Sequence, residues 1–335
     1  MGGADFLRRA IELAKRGEGH TRPNPPVGAV IVKGGKIIGE GWHKRCGGDH
    51  AEVAAIKNAL RKLKHLKTQT LKHCTLCVTL EPCSKPGRVG ACTDAIIAAG
   101  IKRVVYAVPD PSPKNRGKAK RALAKHGIVC ECVSDRTVRV LADRLIAPFA
   151  KHVTTGLPYV TVKIAMSLDG KICDDYGGAR WISSEKSRQV TGRMREKVDA
   201  IMVGAETVRK DNPSLLSHGK RNDDLIRVVV TRSGRLPKNA QIFTDGAPNE
   251  TIVFNTEAQR HRDGIRGVMH ELGKMGVMHV LCEGGLKLAR SLADAGLVDE
   301  WITVLAPKVI GSRRIEKAVV IPRTSVLQDC VPTNQ

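Results

Sequence analysis

The amino-acid sequence predicts an α/β protein of two domains. Three observations carry that expectation. Strand-like and helix-like patterns alternate along both halves, the alternation restarts after Gly156-Leu157-Pro158, and 335 residues exceed what one ordinary core accommodates. The hydrophobic fraction of 41% suffices for packed cores.

The elements follow in order. Residues 4–16 place Phe6, Leu7, Ala10, Ile11 and Ala14 on one helical face. Val27 to Val32 is a short apolar run that turns at Gly34-Gly35 and returns over residues 36–40, the pattern of a hairpin. A helix over 51–66, a strand over 76–80 and a helix over 93–99 ended by Gly100 come next. A strand over 102–108, a helix over 117–126 and a strand over 128–133 complete the first series. Residues 135–153 read as a helical connector, which divides the chain into domains 1–150 and 151–335. The second series has a strand over 159–165, a helix over 184–197, strands over 200–203, 227–231, 251–255 and 279–282, a helix over 286–295 and a strand over 301–306.

The N-terminal residues lack the apolar core and cleavage site of a secretory signal, and no apolar stretch approaches the roughly 20 residues of a membrane span. A cytoplasmic protein with no membrane partner is expected. Of the ten cysteines, the eight other than Cys83 and Cys92 are then read as having no ligand partners, and the pair Cys74 and Cys77 as ordinary buried thiols. The formal charge of +23 raises the question of nucleic acid. Only ten aromatic residues exist, however, and none interleaves with the lysine run of residues 57–72, so a stacking surface for single strands is not expected.

The most informative constellation is His50-Ala51-Glu52 followed by Pro82-Cys83 and Cys92. One imidazole and two thiolates select zinc and leave a fourth position for water, whose pKa a zinc ion lowers toward about 7. A structural zinc site would normally supply a fourth protein ligand, whereas here a carboxylate, Glu52, stands beside the histidine. The arrangement matches the His-x-Glu and Pro-Cys signature of zinc deaminases, with Glu52 moving the proton. Eight residues separate Cys83 from Cys92 instead of the two of the general signature. That lengthened loop must return to the metal and therefore walls the pocket.

The long-loop spacing resembles the family of bifunctional riboflavin-biosynthesis enzymes, a pyrimidine deaminase fused to a reductase. Supporting segments are residues 21–28, Gly47-Gly48-Asp49-His50-Ala51-Glu52, residues 98–104 and Val108-Pro109-Asp110-Pro111. The similarity continues through residues 163–171, Trp181-Ile182, residues 199–204, Thr207-Val208, Asp211-Asn212-Pro213 and Glu283-Gly284-Gly285. The resemblance implies a three-layer, cytidine-deaminase-like domain followed by an α/β domain similar to dihydrofolate reductase. It implies Zn2+, one per chain, and NADPH as cofactors, a small pyrimidine ribosyl phosphate as substrate, and a homodimer.

Without that resemblance the second half lacks the Gly-x-Gly-x-x-Gly dinucleotide fingerprint, and the glycine-bearing turn after residue 282 is open to both a phosphate-cradling and a connecting role. With it, Gly285, Leu286, Lys287, Leu288, Ala289, Arg290 and Ser291 are implied to cradle the cofactor phosphates. Ala165, Trp181, Thr207 and Asp211 are implied as further NADPH contacts. Arg195, Leu215 and Glu283 fall at the reductase substrate, Arg195 as a phosphate partner. Asn24 and the loop 84–91 are implied to orient the pyrimidine, with Arg88 on its phosphate. The chain departs from the family at Lys85, where histidine is usual, at Val89-Gly90-Ala91, at Ala179 and at His218. Two other readings share the motif: a nucleic-acid deaminase with an accessory domain, and a zinc-stabilised scaffold without catalysis.

Overall fold

The computed structural model describes residues 3–63, 71–85, 90–172, 182–217, 225–247, 250–257 and 263–310. The chain divides into two compact units. The first comprises Met1–Tyr159, Lys197–Asp199 and Gly267–Val280, and the second Val160–Glu196, Ala200–Arg266 and the residues from Leu281 onward. Both are mixed α/β, the class the alternating patterns predict.

In the first unit, α1 (Gly3–Ala14) is followed by the hairpin β1 (Gly28–Lys33) and β2 (Lys36–Trp42), then α2 (Ala51–Leu63) and β3 (Thr75–Leu80). Then come α3 (Cys92–Ala98), β4 (Arg103–Val108), α4 (Lys118–Ala124), β5 (Val129–Cys132) and α5 (Arg136–Thr155). The five strands form one sheet in the order β2-β1-β3-β4-β5. β1 runs antiparallel to β2 and β3, whereas β3, β4 and β5 run parallel. Helix α1 packs on β1 and β3 and against α5, while α2 packs on β1 and β2 and against α3. Burial explains the strand composition: Ala29, Val30, Ile31, Leu76 and Val78 are fully enclosed. Cys74 and Cys77 lie in the same core, as expected of ordinary buried thiols.

The approach of α2 to β2 depends on missing side chains. A Cβ on Gly39 would lie 2.6 Å from both the Ala55 carbonyl oxygen and the Ala59 methyl group. Any larger residue there pushes α2, which carries Glu52 in its first turn, off the sheet.

The second series contains β6 (Tyr159–Ser167), α6 (Glu185–Arg195), β7 (Ala200–Gly204), α7 (Ala205–Asp211), β8 (Ile226–Thr231), α8 (Gln241–Thr244) and β9 (Thr251–Asn255). It ends with α9 (Gly264–Lys274), β10 (His279–Cys282), α10 (Leu286–Asp294) and β11 (Glu300–Ala306). The sheet order is β11-β6-β10-β7-β8-β9, with β11/β6, β7/β8 and β8/β9 parallel. Helices α7, α8 and α9 were absent from the sequence expectation. Helices α7 and α8 have 7 and 4 residues, too few for an apolar period to repeat.

His279 supplies a test of the packing around β10. Its ring stands edge-on to Tyr159 at 5.4 Å, and burial pushes its pKa down to about 4. The folded state therefore holds it neutral, whereas the unfolded chain protonates it below its ordinary value near 6.5. Its contribution is intact above that value and is lost as pH falls toward 4. A chemical-denaturation series should show stability falling by up to about 3 kcal/mol over that window through this group. The slope should shrink in His279→Phe, and an identical slope in that variant contradicts the assignment.

Candidate active site

The first site assembles where three element ends meet. His50 directly precedes α2 and its carbonyl accepts the Ala54 N–H at 2.9 Å, so the imidazole is fixed at the helix start. Cys83 follows the end of β3, and Cys92 opens α3. The Thr93 N–H donates to the Cys83 carbonyl at 3.2 Å, and the Cys92 N–H to the Cys83 sulfur at 3.3 Å. These two bonds close the loop that the long cysteine spacing predicted. His50 Nδ1 lies 3.1 Å from Cys92 Sγ and 3.6 Å from Cys83 Sγ. One ligand atom from each of the three residues lies within 4.8 Å of the others, the one such cluster among the described residues.

The electrostatics of the protein alone fit a cation here. Hydrogen bonds from Cys92 and then His50 hold the Cys83 thiol down to about 4, while the bond to Cys83 and burial push Cys92 well up. Two adjacent sulfurs thus share one proton, because two bare thiolates side by side repel. A zinc ion removes that conflict by accepting both as thiolates together with the imidazole. Glu52 stands two residues into the same helix turn and is 4% exposed. Burial, then the neighbouring Cys83, pushes its pKa up to about 7. A carboxyl of that kind takes and returns a proton near neutrality.

Asn24 and His43 complete this region. His43 is buried, and burial lowers its pKa, so the ring is neutral. Its Nδ1 is 3.0 Å from the Asp49 carbonyl oxygen, which can only accept, so Nδ1 carries the hydrogen. Nε2 is then an acceptor and takes an N–H from Asn24 Nδ2 at 3.1 Å. This fixes the Asn24 amide and turns its Oδ1 away from His43. Sequence reading passed over His43; the sole cue was its place in the Gly41-Trp42-His43 segment before the metal motif. Lys85 is described, whereas Arg88 lies outside the described residues.

In the second unit the structure brings Arg195 and Glu283 together. Arg195 Nε and Nη2 donate to the two Glu283 carboxylate oxygens at 2.6 and 2.9 Å, and Nη1 donates to the Leu216 carbonyl at 2.9 Å. The side chains are only 14% and 8% exposed. One bidentate edge of Arg195 is therefore spent on Glu283, leaving two of the five guanidinium N–H groups for a ligand. Leu215, next to that carbonyl, is buried and left-handed at φ 57°.

Lys163, which sequence reading left without a role, is held low by burial and feels both Glu283 and Arg195. A lysine flanked by Val162 and Ile164 within β6 was the available signal. Ala165 lies on the same strand, Thr207 in α7 and Asp211 at its end.

Gly284 and Gly285 lead into α10. A Cβ on Gly284 would lie 2.8 Å from Leu288 Cδ2 and 3.3 Å from the Gly204 nitrogen, so a side chain there would crowd Leu288 and the end of β7. A Cβ on Gly285, by contrast, would meet no atom within 4 Å. Leu288 and Ala289 are buried, Ser291 Oγ donates to the Lys287 carbonyl at 2.9 Å and Arg290 pairs with Asp294 at 3.4 Å. Leu286 and Lys287 are exposed. Trp181, Ala179 and His218 lie outside the described residues.

A His-Cys-Cys cluster beside a buried glutamate defines the first unit as a deaminase of the zinc type, and a second α/β unit follows it. Residues 3–108 match the family model "Cytidine and deoxycytidylate deaminase zinc-binding region", and residues 158–321 match "RibD C-terminal domain". The chain is 39% identical to "Riboflavin biosynthesis protein RibD" of Bacillus amyloliquefaciens, over 91% of this chain and 85% of that one. Identity to the protein of the same name from Aquifex aeolicus is 35%, over 92% and 87%. Among solved structures, a diaminohydroxyphosphoribosylaminopyrimidine deaminase/5-amino-6-(5-phosphoribosylamino)uracil reductase from Thermotoga maritima superposes with a TM-score of 0.81 at 36% identity, covering 92% of this chain and 88% of that one. The chain belongs to the RibD family of riboflavin-biosynthesis proteins, and it is a bifunctional enzyme with a deaminase and a reductase domain. No helix among the described residues is long and apolar enough to cross a membrane.

Proposed function

We propose that the first unit hydrolytically deaminates a diaminopyrimidinone ribosyl phosphate and that the second reduces the product's ribosyl group to ribityl with NADPH. The observation that carries the first step is the placement of a buried carboxyl, Glu52, beside three donor atoms within 4.8 Å of one another. His50, Cys83 and Cys92 would hold one zinc ion per chain. When bound, zinc supplies an acidified water as nucleophile.

Glu52 takes the proton from that water and returns it to the departing amine, so that water and the amino-pyrimidine become the ring's lactam carbonyl and ammonia. Asn24 Oδ1, turned from His43, accepts from the ring's nitrogen hydrogens. Arg88 is assigned to the phosphate.

For reduction, the hydride comes from NADPH and the protein supplies position and a proton. Glu283, Arg195 and Leu215 are assigned to the ribosyl phosphate. Lys163 is the titratable group beside that pair that gives the proton, since burial already weakens its hold on it. Ala165, Trp181, Thr207, Asp211 and residues 285–291 are assigned to NADPH. Because Leu288 and Ala289 are buried, the turn acts through backbone N–H groups of the α10 start. A cytoplasmic homodimer is the assembly proposed with this reading, on the family resemblance.

The two halves separate under metal removal. Exhaustive chelation is expected to abolish ammonia release and zinc replacement to restore it, while NADPH oxidation on the already deaminated substrate continues. Deamination that persists in protein shown metal-free by atomic absorption refutes the assignment.

A further inference from the structure

A second buried ion pair in the reductase unit lies outside every residue assigned above. Arg227, the second residue of β8, is 3% exposed, and its partner Asp245, just past α8, is 9% exposed. Arg227 Nη1 donates to Asp245 Oδ2 at 2.6 Å and to the Ser214 carbonyl at 3.1 Å. Arg195 Nη1 holds the Leu216 carbonyl at 2.9 Å. The carbonyls on either side of Leu215 are thus each captured by a guanidinium, and each guanidinium is anchored by its own carboxylate. Between them Leu215 has φ 57° and its side chain is buried.

A left-handed leucine is disfavoured by its own Cβ and persists only where the surroundings dictate it. The segment is also held at its start, where Asn212, left-handed at φ 43°, accepts the Gln241 N–H on Oδ1 at 2.7 Å. Arg195 has reason to be where it is through Glu283. Arg227 reaches toward the site through the Ser214 carbonyl.

We infer that Arg227 and Asp245 are a positioning pair for the reductase, holding residues 214–216 in the conformation that presents Leu215 to the ribosyl phosphate. The inference rests on the proposed reduction and adds to it a pair that acts through the loop and not on the substrate. Both bonds leave the same Nη1 nitrogen, whose two hydrogens the planar guanidinium holds in fixed directions, one to the carboxylate and one to the carbonyl, where an ammonium on a flexible stem rotates.

The test uses the full chain, first establishing that the parent oxidises NADPH with the deaminated ribosyl phosphate; failure at that point refutes the proposed reduction itself. Replacing a buried ion pair by apolar residues of similar volume generally preserves stability, whereas removing one partner does not. The double variant Arg227→Met/Asp245→Leu is therefore expected to melt close to the parent and to release ammonia at the parental rate. Its reductase kcat/KM should nevertheless fall about ten- to a hundred-fold, carried mostly by KM for the ribosyl phosphate. Arg227→Lys, which keeps the charge, should show the same split in milder form and serves should the double variant not fold. A folded variant of either kind with parental reductase kcat/KM overturns the inference and leaves the pair a purely structural one.

Discussion

A Glu52→Gln variant is expected to release ammonia about 100- to 10,000-fold more slowly than the parent, the usual contribution of a positioned acid–base group. Three properties make this loss specific. Glutamine fills the same buried volume, so the 4% exposed position stays packed. It neither binds nor releases a proton near neutrality, whereas the native carboxyl, pushed up to about 7, does both. It also removes none of the three metal donors, so zinc content should remain parental. Ammonia release under saturating substrate, paired with metal analysis and NADPH oxidation on the same sample, separates this from unfolding. Parental deamination with full zinc would remove Glu52 from the mechanism and revive a scaffold role for the metal.

The second large effect is expected at Glu283. In Glu283→Gln, one carboxylate oxygen facing Arg195 at 2.6 or 2.9 Å becomes an amide N–H pointing at another N–H. Breaking a buried pair in this way costs about 3–5 kcal/mol, chiefly because the guanidinium is left without a counter-charge. Lys163 loses the carboxylate that favours its protonated form, so its proton becomes easier to lose and is less often present. Reductase kcat/KM should fall about a hundredfold or more. Calorimetry should show destabilisation of the reductase transition, while ammonia release below that transition stays parental. A Glu283→Gln chain that reduces normally would place the substrate elsewhere.

What was legible in the sequence depended on how locally each feature is encoded. The metal donors were legible because His50 and Glu52 share one helix start, and because Cys83 and Cys92 are joined by a single loop. Strands β1, β9 and β10 were legible from short runs of apolar and β-branched residues bounded by turn signals. The resemblance put Arg195 and Glu283 at one substrate, but their direct ion pair was not legible, since 88 residues separate them and no local period couples α6 to the end of β10. The same holds for Arg227, whose position at the head of an apolar strand resembles a solvated charge until Asp245 and Ser214 are brought to it. His43 was hidden for a different reason: its role is to fix the amide of Asn24, and a tautomer leaves no mark in a sequence. Helix α9, with Val268, Met269 and Leu272 buried, carried an apolar face of the expected spacing, but the preceding stretch of charge and glycine obscured its start.

On the proposed reading, one chain carries out a zinc-dependent deamination and an NADPH-dependent reduction on the same pyrimidine nucleotide. The most direct measurement supplies the diaminopyrimidinone ribosyl phosphate and follows ammonia release and NADPH absorbance separately in one reaction. Ammonia should appear with or without NADPH, and NADPH oxidation should begin only as deaminated product accumulates. Zinc-loaded chain that releases no ammonia, or ammonia release never followed by NADPH oxidation, would contradict the account.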